Sequence, residues 1–260
     1  MKAAVLTRVL MLSAATPAMA LSPFPFEDVN NNGMFDVGDK NLSAELKAGD
    51  GRGIYYTTRN SLVIPAGVSI IAKRDESVDL VADQNIIVNG NITTGSYGAV
   101  TLQTRFGDVV VGPRARINGM SRVNIYADQG SVSLGAGAQL SSTGSSGNLG
   151  SVQIHAVENL TFGPKVRVAA ASGGVYLSAS GDLAAEQGLI LSTPTGNLIV
   201  WSEGAVTITK ASIAADNITV SGAPLTLTQS RVRAPHGCDL QSEGTLPITT
   251  GTVLPSCAIY

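Results

Sequence analysis

The sequence predicts an all-β protein, a parallel β-solenoid with three short strands per coil of about 22 residues. Three observations carry that prediction. An alternating apolar pair opens a unit seven times: Val78/Leu80, Val100/Leu102, Val123/Ile125, Val152/Ile154, Val175/Leu177, Leu198/Val200 and Ile218/Val220. Successive openings lie 22, 23, 29, 23, 23 and 20 residues apart. Each is followed by a second apolar element, such as Ile86/Val88 or Val132/Leu134, and then a third, such as Ile92 or Leu140. Period-two apolar runs recurring at that interval mark stacked coils, because one unit has too small an apolar face to bury alone.

Alternation turns one set of side chains inward and leaves the other wet. Corner chemistry sits between the runs, at Asn89-Gly90, Asp128-Gln129-Gly130, Gly181-Asp182 and Gly196-Asn197, where these residues accept turn geometry readily. Seven or eight coils at the strand spacing make a rod of roughly 35–40 Å. The 29-residue interval holds the polar stretch Ser141–Asn148, read as an inserted loop on one corner. Charged residues are only 14% of the chain, against 29 glycines, a balance that favours turn-rich β structure over helices.

The flanks are read differently. Residues 1–20 have the layout of a secretory signal peptide: Lys2 and Arg8, the apolar run Val9–Leu12, and the small-x-small site Ala18-Met19-Ala20. Removing them takes the charge from 17 minus 19 to 15 minus 19, or -4. That balance argues against a nucleic-acid partner, which calls for a basic footprint. No later stretch has the length of a transmembrane helix. The expected location is therefore secreted, extracellular or cell-surface, with the periplasm as the alternative. Residues 21–60 form an N-terminal segment with a cap, in which Gly51–Tyr56 reads as a connection and Asn41–Lys47 as a short helix. The solenoid is assigned to 61–233 and a C-terminal cap to 234–260, where Pro235, Pro247 and Pro255 interrupt the pattern. In an exported chain Cys238 and Cys257 are expected to form a disulfide.

The N-terminal segment carries the sharpest motif. Counting Asp28 as position 1, oxygen side chains fall at positions 1, 3, 5, 9 and 12: Asp28, Asn30, Asn32, Asp36 and Asp39. Gly33 takes the sharp turn at position 6, and Met34 at position 7 offers its backbone carbonyl. This is calcium-loop spacing, with Asp39 in place of the usual bidentate Glu. Three carboxylates and two amides suit Ca²⁺ rather than Zn²⁺ or Cu²⁺. The stretch resembles dockerin-type and EF-hand loops, which implies a bound Ca²⁺ that orders the cap of the first coil.

The coils resemble the right-handed parallel β-helix of pectate-lyase-like proteins. Phrases such as Gly130-Ser131-Val132-Ser133-Leu134 and Gly181-Asp182-Leu183 are similar to filamentous-haemagglutinin-type adhesin repeats. The resemblance implies a fold class and leaves function to the sites. The repeat carboxylates are scattered over corners, and His155 and His236 belong to no nucleophilic or metal motif, so no catalytic residues are assigned. Two surface features remain. Tyr126, His155, Tyr176 and Trp201 fall at outward positions of the first strand, where aromatic faces stack on sugars or fill interfaces. In the third strand Arg114/Arg116, Lys165/Arg167 and Arg231/Arg233 read as equivalent coil positions, a broken basic stripe facing acidic polymers or surfaces.

These readings converge on an exported, non-enzymatic solenoid of the cell surface, matrix or adhesion type, calcium-stabilised at its N-terminal end and open to self-association. Its expected partner is a polysaccharide or cell-surface component. The alternative is a carbohydrate-binding module or a lyase- or hydrolase-like protein acting on acidic polysaccharide.

Overall fold

The computed structural model describes residues 22–47, 53–144, 150–243, 246–254 and 257–260. The signal-peptide reading and the centre of the polar insertion lie outside the described residues. The chain is a parallel β-solenoid of about nine turns. Each coil contributes a strand to a first face, a second face and a third face. One regular coil comprises Arg122–Ala127, Val132–Leu134 and Gln139–Ser142.

Register is kept from coil to coil, so like stacks on like. On the first face Val78, Val100, Val123, Val152, Val175, Leu198 and Ile218 align in one inward column. Leu80, Leu102, Ile125, Ile154, Leu177, Val200 and Val220 align in the next. The third face adds Ile70, Ile92, Ile117, Leu140, Val168, Leu191, Ile213 and Val232. All of these are buried, and each contributes about 1.5–3 kcal/mol of apolar burial. Where a column widens, the neighbour shrinks: Phe162 is followed in register by Ala185, which keeps the core volume filled without a clash.

The strands begin earlier and end later than the sequence reading. Gly51–Tyr56 does not act as a connection throughout, because Ile54–Thr58 already pairs with Val78–Ala82 as a first-face strand. Its apolar signature is hidden because Tyr56 and Thr58 occupy inward positions and serve the cap instead. At the other end Gly237–Ser242 stacks on Asn217–Gly222. Cys238 continues the column of Ile218 and forms the expected disulfide with Cys257, with a Cα–Cα distance of 4.4 Å. Ala258–Ile259 then lies on Asp239–Leu240. Asn41–Lys47 is not a helix; it makes turns, and its Leu46 N–H donates to the Leu42 carbonyl at 2.9 Å.

The first corner, between the first and second faces, contains a ladder invisible to hydrophobic pattern. The Asp108 N–H donates to Asn85 Oδ1, the Ser131 N–H to Asp108 Oδ1, the Asp182 N–H to Asn159 Oδ1 and the Ala205 N–H to Asp182 Oδ1, each at 2.8 Å. The Asn159 N–H reaches Ser131 Oγ at 3.3 Å, and the Asn85 N–H reaches Ser61 Oγ at 3.0 Å. Each side-chain oxygen thus satisfies a corner amide that the sheets leave unpaired. Where the acceptor is Asn or Asp, glycine precedes the donor: a Cβ on Gly107 would lie 2.5 Å from Asn85 Oδ1, and one on Gly204 2.5 Å from Asp182 Oδ1. The ladder stops where Ala205 supplies no acceptor and the aligned residue, Pro224, has no N–H to donate.

At the second corner the ladder is carried by the backbone. Arg114, Gly137, Lys165, Gly188, Lys210, Gln229 and Gly251 hold this corner with φ between 49° and 85°. The N–H groups of Arg114, Gly137, Lys165, Lys210 and Gln229 donate to the next coil at 2.8–3.0 Å. For the non-glycine members this conformation costs about 1 kcal/mol.

Asn85→Ala removes the acceptor of the Asp108 N–H. It is expected to lower urea stability by about 1–2 kcal/mol with an unchanged m-value, measured by equilibrium denaturation.

Candidate functional sites

The N-terminal segment closes the first coil as a lid. Phe26–Asp28 runs antiparallel to Ser61–Ile64 and also pairs with Lys40–Asn41. It thereby covers the open edge of the second face at that end, while buried Phe26, Leu42 and Leu46 cover the core. Phe35 packs edge-on against Phe24 and Phe26, with ring centroids 4.8 and 5.5 Å away. The polar lock is Glu27. Its carboxylate accepts hydrogen bonds from Tyr56 OH at 2.7 Å, Thr58 Oγ1 at 2.5 Å and Asn60 Nδ2 at 2.6 Å. Burial pushes the Glu27 carboxyl upward, yet the hydrogen bonds from Thr58, Tyr56 and Asn60, aided by the Lys40 charge, hold it below the ordinary carboxylate range. Burial, followed by the hydrogen bond to Glu27, pushes the Tyr56 phenol far upward.

The candidate calcium loop hangs from this lid, and all six residues singled out above fall within it. Asp28 is buried. Its Oδ1 accepts the Asn32 N–H at 3.2 Å and its Oδ2 the Gly33 N–H at 2.6 Å. Gly33 has φ +76°, the turn expected at that position. The Met34 N–H donates to Asn32 Oδ1 at 2.7 Å. Asp39 accepts from the Val29 and Asp36 N–H groups, both at 2.9 Å. Asn30 and Asn32 direct their amide nitrogens at Asp36, at 3.0 and 2.7 Å. Among the described residues no three His, Cys, Asp or Glu side chains converge as a metal site, and no cation pairs with Asp28, Asp36 or Asp39. The donor set of three carboxylates and two amides fits a hard cation. Asn31, at loop position 4, links the loop to the rod: its Oδ1 accepts from Ser61 Oγ at 2.5 Å and Asn85 Nδ2 at 3.0 Å. It thus stands at the head of the first-corner ladder, a role the spacing did not reveal.

The aromatic residues share the first face but not one strip. Tyr126, His155, Ser178 and Trp201 align in one row, so Ser178 separates His155 from Trp201. Tyr176 lies in the adjacent row, aligned with Gln153 and Ile199. Tyr126 OH donates to Gln153 Oε1 at 3.0 Å, and burial raises its phenol pKa despite the Arg122 charge. His155 Nδ1 lies 2.9 Å from Ser178 Oγ. Trp201 is 41% exposed beside Ile199 at 38%, making an apolar patch with Tyr176.

The basic stripe needs correction. Arg116, Gln139, Arg167, Ile190, Ser212 and Arg231 form one third-face row. Arg231 is therefore equivalent to Arg116 and Arg167, and Arg233 falls one step beyond, where Asn118 and Ala169 lie. Arg114 and Lys165 are not strand residues but occupy the second corner. Sequence reasoning missed Lys210 at the same corner, because its coil has no second cation to mark it. The scattered carboxylates are also ordered by the fold. Asp83, Asp108, Asp128, Glu158, Asp182 and Glu203 all fall at the first corner, opposite the cationic one across the second face. Between the corners the second face forms an open groove of about 780 Å³ over Val110, Ser133, Thr161, Ala184 and Thr207.

No protein-family model, curated protein or solved structure matches this chain.

Glu27 gives the lid a pH signature. A carboxyl held below its unfolded value contributes stability that is full above the ordinary carboxylate range and is lost as pH falls through the lowered folded value. Glu27→Gln is expected to be less stable than the parent at neutral pH, with the gap closing as pH drops below that range. Thermal melts across pH measure it; a constant gap contradicts the assignment.

Proposed function

We propose that the chain is an exported, non-enzymatic rod, a structural or adhesion component of a cell surface or matrix, with its N-terminal lid ordered by Ca²⁺. The observation that carries this reading is the closure of the N-terminal end. An antiparallel strand covers the second-face edge, three core side chains and the Glu27 lock hold it in place, and the candidate loop lies in the same segment, joined to the rod through Asn31. A covered second-face edge hinders growth of the rod from that end. The carboxylates of the repeat are employed as corner acceptors, as at Asp108 and Asp182, which favours a structural reading of them over an acid–base one. The disulfide fits an oxidising compartment. No helix of the described residues is long and apolar enough to cross a membrane.

In the calcium reading Asp28, Asn30, Asn32, Asp36 and Asp39 supply side-chain oxygens and Met34 its carbonyl. The ion neutralises three carboxylates crowded in one loop. Binding a cation only in the folded state stabilises the lid by mass action.

A second reading, polysaccharide binding, is favoured by the exposed Trp201–Ile199–Tyr176 patch and the cationic second corner.

Calorimetric titration of the mature protein with Ca²⁺, paired with thermal melts and light scattering, tests the first reading. Binding heat and a raised midpoint, both lost in Asp28→Ala/Asp36→Ala, are expected. A rise in scattering with Ca²⁺ adds assembly to the role. No heat and no shift would remove calcium from the account and leave the capped rod.

A further inference from the structure

We propose that the second corner is a binding track for a linear acidic polysaccharide in which charged and neutral sugars alternate. This rests on the polysaccharide reading, and it moves the contact from the aromatic patch to the corner.

The track is built from alternation along the rod. In register, the corner residues run Arg114, Gly137, Lys165, Gly188, Lys210. A cation thus recurs every second coil, at about 10 Å, and glycine stands between. A Cβ on Gly137 would lie 3.7 Å from Arg114 Cγ, and one on Gly188 3.3 Å from Lys165 Cγ. The stems of Arg114 and Lys165 thus lie against the glycine of the next coil, ordinary contact distance at Gly137 and a tighter fit at Gly188. Arg116 and Arg167, two residues further on, double the charge in the same two coils.

Three further observations point to a ligand. All five cations are exposed, and none pairs with a carboxylate among the described residues. Arg114, Lys165 and Lys210 hold the left-handed conformation of this corner, with φ of 61°, 60° and 51°, and a long cation is kept at three positions that glycine would fill without strain. The third-face strand segments 116–119, 139–142, 167–170, 190–193 and 212–215 contain no Asp or Glu, while Asp83, Asp108, Asp128, Glu158, Asp182 and Glu203 lie at the first corner. A polyanion is thereby drawn to one corner and repelled from the other.

Alternation also defines the polymer. An extended polysaccharide advances along its axis by roughly one coil spacing per sugar, so a carboxylate on every second sugar meets a cation at every second coil. The single carboxylate at this corner, Glu186, belongs to the coil of Gly188, between the Lys165 and Lys210 coils. It disfavours an acidic sugar at that step, and with it a polymer charged on every ring.

The test is surface binding of the mature protein to hyaluronan fragments, which alternate acidic and neutral sugars, against polygalacturonate and neutral dextran. Hyaluronan is expected to bind best, with affinity falling as salt rises. The triple variant Arg114→Gly/Lys165→Gly/Lys210→Gly should lose roughly tenfold or more in affinity. Its melting midpoint should stay at or above the parent's, because glycine relieves the strain. Arg59→Ala, a lost charge away from this corner, should change neither. Loss of binding in Trp201→Ala but not in the triple variant would place the polymer on the first face, keeping the second reading and overturning the track. No binding to any polymer would overturn both. Anionic lipid vesicles or duplex DNA binding in place of hyaluronan would overturn the polysaccharide assignment.

Discussion

Everything in this protein depends on coils stacking in register, so that each side chain meets its own equivalent one strand spacing away. That repetition makes the inward columns of Val, Leu and Ile on all three faces continuous. It is also why one structural solution can be used many times. A corner that satisfies its backbone once satisfies it in every coil, and any group placed at one position recurs as a line.

The first and second corners show two answers to one problem. At each, the chain turns and an amide falls outside the regular sheet. The first corner supplies a side-chain oxygen from Ser61, Asn85, Asp108, Ser131, Asn159 or Asp182 to the amide of the next coil. The second uses a left-handed residue to aim the N–H itself along the axis. The choice has an electrostatic consequence. Asp and Asn suit the first corner as acceptors, and the second tolerates long cations whose stems lie over glycine. Most acids of the repeat therefore line the first corner and the cations of Arg114, Lys165 and Lys210 the second, with an uncharged face between them, while Arg105 pairs with Asp83 at the first corner and Glu186 stands at the second. The ends obey the same rule by exception. Tyr56 and Thr58 replace inward apolar residues because Glu27 sits above them, and Cys238 replaces one because Cys257 closes over it.

The fold class was legible because apolar alternation is repeated across seven coils, and repetition turns a weak local signal into a strong one. Its limits were less legible where the inward residues turn polar, as at Tyr56 and Thr58, or become Cys238. Those substitutions make sense only with the lid or the disulfide in view. The candidate loop from Asp28 to Asp39 was singled out from spacing, since its pattern is local. Asn31 was not, because its partners Ser61 and Asn85 lie in other coils. Spacing likewise aligned Arg231/Arg233 with Arg114/Arg116, whereas the register aligns Arg231 with Arg116. Coil lengths that vary between 20 and 29 residues hide such one-step offsets until strand pairing fixes them.

Amide hydrogen exchange of the protein tests the central claim most directly. In-register stacking with laddered corners predicts slow exchange not only in the strands but also at the Asp108, Ser131, Asp182 and Ala205 amides, which sit in turns yet have fixed acceptors. Fast exchange at those four amides beside protected strands would contradict the first-corner ladder. Fast exchange throughout 78–222 would contradict the stacked core itself.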